Sequence, residues 1–207
     1  MVDFPAGFVA PELDTAVELE ALIASVAQVQ VRGMFLNGVV DRCRADGIDL
    51  GQRYIAFKLY PIETHLRLIA EGTRALWPQA TLRRGLWSLA HDAFGALLDS
   101  MAGRVVFGVL GGDVHRVTRL VGKAYEIGGT GVSARLLHMG DDFSHVRIEG
   151  AHGLLCCYHA GAFLGTLTAC GLDGEVRVRD EGASGELFTR WWPRAGGRST
   201  PAVTPRG

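Results

Sequence analysis

Residues 132–149 read VSARLLHM-GDD-FSHVRIE, and residues 176–192 read VRVRDEGASGELFTRWW. In the first stretch, Val132 to Met139 and Phe143 to Glu149 are strand-like runs flanking Gly140-Asp141-Asp142, residues that favour a turn. In the second, Val176 and Val178 alternate with Arg177 and Arg179, Glu181 to Gly185 forms a turn, and Leu187 to Trp192 returns. Two antiparallel hairpins follow. Between them, Tyr158 to Cys170 carries no formal charge and reads as a buried helix. The C-terminal half is therefore a hairpin–helix–hairpin unit.

Upstream, the period changes from two to 3.6. Ala27, Val29 and Val31 alternate with polar neighbours as a strand, and Met34 to Arg44 reads as a helix closed by Gly47. Pro61 suits the first turn of a helix over 62–77, with Ile62, Leu66, Ile69, Thr73 and Leu76 on one face. Thr81 can cap the next helix, to about Ser100, which is apolar on two faces and so central. Asp14 or Thr15, the latter in capping-box spacing with Glu18, begins a short helix near the N-terminus. Val105 to Leu110 is a short apolar run, after which Asp113 caps a helix to about Tyr125. The fold class is α+β, a mainly helical half packed on the hairpin unit. Residues 1–24 read as an extension with a short helix. Residues 25–193 read as one domain, with halves 25–128 and 129–193, and 194–207 as a disordered tail.

The 207 residues carry 21 Lys and Arg against 22 Asp and Glu, which excludes a chain-wide polycation for nucleic acid. The apolar fraction of 48% supplies ample core. Met1 to Leu13 lacks the basic start and apolar run of a signal peptide, and four cysteines in no disulfide spacing fit a reducing cytoplasm. Gly150 to Leu172 has the length of a membrane span and no charge. His152, His159, Thr166, Thr168 and its glycines make a buried strand and helix the better reading.

Arg32-Gly33-Met34-Phe35-Leu36 before a helix, Tyr158-His159-Ala160-Gly161 with Gly165 on a late helix, and the closing stretch Gly174 to Trp192 resemble an uncharacterised myxobacterial paralogous family of similar length. The late helix followed by strand–turn–strand is distantly similar to 4-vinyl reductase-type domains, which are grouped with haem–nitric-oxide-binding and vesicle-tethering folds. The resemblance implies a ligand-binding or protein-contact module. Asp180 to Arg190 lacks the cysteines that 4-vinyl reductase-type domains often carry there, which weakens an inherited metal site.

Among individual residues, His152, Cys156, Cys157 and His159 offer imidazole and thiolate for Zn²⁺ or Cu(I). On a strand Cys156 and Cys157 would face opposite ways, so no metal is expected. His65 and His91 are helical and could ligate haem iron as a proximal histidine does. The plainer reading is a core-edge histidine bonded to backbone. Trp87 lies one turn before His91 and Phe94 three residues after it, bordering an apolar pocket with Leu98. Gly161 and Gly165 would let a flat ligand or another backbone approach beside Tyr158 and His159.

Arg116, Arg119 and Lys123 behind Gly111-Gly112-Asp113 read as a solvated basic face, because Asp113 would repel an anion there. Arg177, Arg179 and Arg190 with Trp192 share an outer sheet face, and no nucleic-acid partner is expected. One of Trp191 and Trp192 must point outward. No Gly-x-Ser-x-Gly or cysteine dyad points to catalysis. The sequence thus predicts a cytoplasmic, non-catalytic binding or regulatory module for a small apolar ligand or a peptide or protein partner, with no resident cofactor. A haem or tetrapyrrole sensor and a homodimeric interaction protein are the alternatives.

Overall fold

The computed structural model describes residues 3–99, 112–182 and 184–195. Its architecture is mixed helix and sheet. The helical half runs α1 (Leu19–Ser25), β1 (Gln30–Arg32), α2 (Gly33–Ala45), β2 (Leu59–Pro61), α3 (Ile62–Leu76) and α4 (Leu82–Asp99). The apolar stripe of α3 is buried through Ile62, Leu66, Ile69 and Thr73. Leu86 and Leu89 of α4 are sealed between α2 and α3, so the helix apolar on two faces is central. Thr81 caps it, its hydroxyl accepting from the Arg84 amide at 3.2 Å. The capping box expected at Thr15 does not form. The Thr15 hydroxyl donates to Glu12 instead, and α1 begins at Leu19 without a side-chain cap.

In the second half, α5 (Val114–Arg119) is capped by Asp113, whose carboxylate accepts from the His115 and Arg116 amides. The helix expected to run on to Tyr125 breaks at Leu120 and resumes as α6 (Val121–Gly128). Strand β3 (Gly129–Thr130) then joins β1 and β2 in a small antiparallel sheet of order β2-β1-β3. Both expected hairpins form: β4 (Ser133–Met139) with β5 (Phe143–Glu149), and β6 (Leu172–Asp180) with β7 (Ser184–Pro193). They make one antiparallel sheet, order β4-β5-β7-β6. Its inner face packs Val146, Ile148, Val176 and Leu187 under α6 and α7 (Ala160–Ala169). Trp191 is buried on that face, and Trp192 points outward.

The strand expected before α7 is absent. His152–Leu154 is a 3₁₀ turn and Leu155–His159 a π-helical turn, so the opposite-face premise for Cys156 and Cys157 falls with it. Helix α7 then lies directly on α4. A Cβ at Gly161 would meet the Trp87 carbonyl oxygen at 2.2 Å, and one at Gly165 the His91 carbonyl oxygen at 2.1 Å. Nothing but glycine lets the two backbones come this close. Among the described residues no helix is long and apolar enough to cross a membrane. The run Val105 to Leu110 lies outside the described residues.

Candidate ligand-binding site

A cavity of about 110 Å³ lies where the helical half meets the sheet half. Its walls are largely aliphatic, with Val29 and Val31 around β1 and Val132 and Leu154 from the second half. Four rings supply its polarity. His65 sits on the apolar face of α3, three residues from Ile62, and is 1% exposed. Tyr158 and His159 close the π-helical turn, and Tyr125 comes from α6.

The rings form one array. His65 Nε2 lies 3.1 Å from the Tyr158 hydroxyl, and His159 Nδ1 lies 2.7 Å from the Tyr125 hydroxyl. Tyr158 and His159 meet edge to face with centroids 5.8 Å apart. Each imidazole thus has one nitrogen held by a tyrosine. The other, His65 Nδ1 or His159 Nε2, is buried without a partner. An unpaired buried polar atom costs about 1–3 kcal/mol, which a ligand atom could repay. Burial lowers both histidines to about 4 and raises both tyrosines above their ordinary range. At neutral pH the array is uncharged.

Tyr125 and Ala162 also line a second, smaller cavity of about 60 Å³ toward β7. Thr189, whose buried hydroxyl has no partner, faces this space. The π-helical turn is what brings the array together. Such turns recur at functional sites because the extra residue re-aims the side chains around it.

Of the residues singled out from sequence, Tyr158 and His159 line the main cavity. Trp87 and His91 do not. They stack on each other at 5.4 Å, and both imidazole nitrogens of His91 are engaged, Nδ1 by Asp92 at 3.1 Å and Nε2 by Thr168 at 3.2 Å. Gly161 and Gly165 lie against the α4 backbone. The side chains of Phe94, Leu98 and His152 lie outside the described residues. Cys156 is half-buried and Cys157 buried, and a hydrogen bond between them lowers the Cys156 thiol and raises that of Cys157. Among the described residues no three His, Cys, Asp or Glu side chains gather as a metal site.

The family model described as "Protein of unknown function (DUF2378)" matches residues 22–192. No curated protein matches the chain. Solved structures share its fold. The H-NOX domain from Shewanella oneidensis, in its Fe(II)CO ligation state, aligns with a TM-score of 0.60 and 9% identity, covering 78% of this chain and 98% of that one. The unliganded Fe(II) form of an H-NOX protein from K. algicida, a single-residue mutant, gives 0.56 and 11%, covering 78% and 96%. A protein described for modulation of haem redox potential by porphyrin distortion gives 0.53 and 10%, covering 77% and 96%.

These neighbours raise haem as a test of this chain's own residues, and the described cavity does not fit it. At about 110 Å³ it is smaller than the roughly 150 Å³ apolar cavity that accepts one benzene ring, whereas a tetrapyrrole carries four rings. Among its described lining residues there is no lysine or arginine to pair with the two haem carboxylates. Between α4 and α7 the backbones touch, which leaves no slot there.

Proposed function

The chain belongs to the DUF2378 family of proteins of unknown function, and on that premise we propose that it is a non-catalytic binding module for a small, uncharged, largely apolar molecule held in the cavity between its halves. One observation carries the reading: two buried imidazole nitrogens without partners on the walls of a largely apolar cavity. The ligand is a short chain or other apolar group smaller than a benzene ring, with one hydrogen-bonding atom. Charged molecules are disfavoured, since every polar side chain of the array is neutral and desolvation would go uncompensated. The H-NOX-like fold supports small-molecule sensing in general.

A haem sensor is the second reading, favoured by the fold neighbours and opposed by the size of the cavity. Expression with haem precursors followed by absorbance and native mass spectrometry separates the two. The chain is expected to show no Soret band and to carry either no adduct or one below the mass of a tetrapyrrole. A stoichiometric Soret band would replace the small-ligand reading with the haem one.

A further inference from the structure

A neutral imidazole carries one N–H and one bare nitrogen, so the role of the nitrogen that bonds a tyrosine fixes the role of the other. His65 meets the Tyr158 hydroxyl through Nε2 at 3.1 Å, and His159 meets the Tyr125 hydroxyl through Nδ1 at 2.7 Å. Among the described residues neither hydroxyl has a second partner. The free nitrogens, Nδ1 of His65 and Nε2 of His159, are buried, on side chains 1% and 5% exposed.

Each pair has two ways to place its hydrogens. If the imidazole donates, the phenol hydrogen is buried without an acceptor, and the free ring nitrogen is bare and without a donor. If the phenol donates, its hydrogen is used, and the groups left over are an imidazole N–H and a phenol lone pair. The second arrangement wins. The phenol is the stronger acid and the bare imidazole nitrogen the stronger base, so O–H···N is the better bond. The phenol oxygen shares its lone pair with its ring, is a weak acceptor, and loses little by going unpaired. The 2.7 Å between Tyr125 and His159 also suits a donating hydroxyl, being shorter than the roughly 2.9–3.0 Å usual for an N–H donor. Each tyrosine thus places the imidazole proton on the free nitrogen, as Nδ1–H in His65 and Nε2–H in His159. Apart from the four rings, the side chains lining the cavity are apolar.

We propose that this cavity selects a hydrogen-bond acceptor, a small neutral carbonyl compound whose oxygen takes the free N–H groups of His65 and His159; this rests on the reading of the cavity as a small-molecule site. A ketone satisfies the N–H donors and brings no hydrogen of its own. An alcohol of the same skeleton also accepts, but its hydrogen finds only the weak phenol oxygens.

The test needs no substitution. Long-range proton–nitrogen NMR spectra of the ¹⁵N-labelled chain at pH 7, without ligand, are expected to show His65 protonated on Nδ1, the minor form of a free imidazole side chain, and His159 protonated on Nε2. A proton on the tyrosine-bonded nitrogen of either ring overturns the proposal. Calorimetry with acetone and 2-propanol then reads the preference, and acetone is expected to bind at least about threefold tighter. Equal or tighter binding of 2-propanol overturns the carbonyl preference and leaves the cavity a binding site. Saturable binding of neither probe overturns the small-molecule reading and the proposal with it.

Discussion

Between pH 7 and pH 4 the fold is expected to lose about 6 kcal/mol of unfolding free energy, about 3 kcal/mol for each of His65 and His159. Both are held neutral by burial, with values lowered from 6.5 to about 4. Well above pH 6.5 neither state binds these protons and the histidines contribute no pH dependence. As the pH falls from 6.5 toward 4, the unfolded chain protonates its imidazoles and the folded chain does not, so stability falls. Below about 4 both states are charged and this contribution levels off. Glu186 adds a loss in the same direction at lower pH. Burial works to raise its carboxyl, but hydrogen bonds and charge from His145 and Arg179 overcome it and hold it below its ordinary value.

Denaturant titrations at half-unit pH steps measure the slope. In a His159→Leu variant the slope between pH 6.5 and 4 should fall by about half, since one of two such groups is gone. A stability flat across that window would mean that the two imidazoles are solvated, and the account of the array would be wrong.

Gly161→Ala with Gly165→Ala is expected to destabilise the fold severely. Each new Cβ would sit against a backbone carbonyl of α4, at 2.2 and 2.1 Å, and no rotamer change relieves a clash with main chain. Overpacking of this kind costs about 1–3 kcal/mol or more per site. The gain in helix propensity from Gly to Ala returns only about 1 kcal/mol each. A single substitution should lower stability by about 2 kcal/mol. The double variant should lose about 4 kcal/mol or more, a large part of the stability of a marginally stable domain, because α4 and α7 must separate along two turns. Circular dichroism and thermal melting of the three variants test this, and a double variant that melts like the parent would contradict the close helix contact.

The sheet half was legible because its signals are local. Alternation in 186–192 puts Glu186, Phe188, Arg190 and Trp192 on one face and Leu187, Thr189 and Trp191 on the other, as the register has them. Asp113 and Thr81 cap helices because each needs only its next three residues. The strand expected before Tyr158 is a turn instead, and the five π-helical residues Leu155–His159 match neither a period of two nor one of 3.6. Strands β2 and β3 are too short to show any period.

The site was half legible. Tyr158 and His159 stand out as polar rings in an apolar stretch. Their partners Tyr125 and His65 lie 34 and 93 residues away, and only the closed fold pairs them. A signal existed for both. His65 falls on the Ile62–Leu66–Ile69 stripe, and Tyr125 lies one turn after buried Val121. A polar ring on an apolar helix face must find a buried partner or a ligand.

The most direct test of the cavity as a binding site compares two uncharged probes by calorimetry, 1-chloropropane and 1-propanol, on the parent chain and on His159→Leu. Both are three-carbon chains smaller than a benzene ring, and only propanol brings a hydroxyl. Propanol is expected to bind the parent about fivefold tighter than chloropropane, the worth of one hydrogen bond of about 1 kcal/mol to an unpaired imidazole nitrogen. That preference should shrink or vanish in His159→Leu while chloropropane binding persists. Equal affinity of the parent for the two probes, or no saturable binding of either, would contradict the claim that this cavity holds a ligand through its buried histidines.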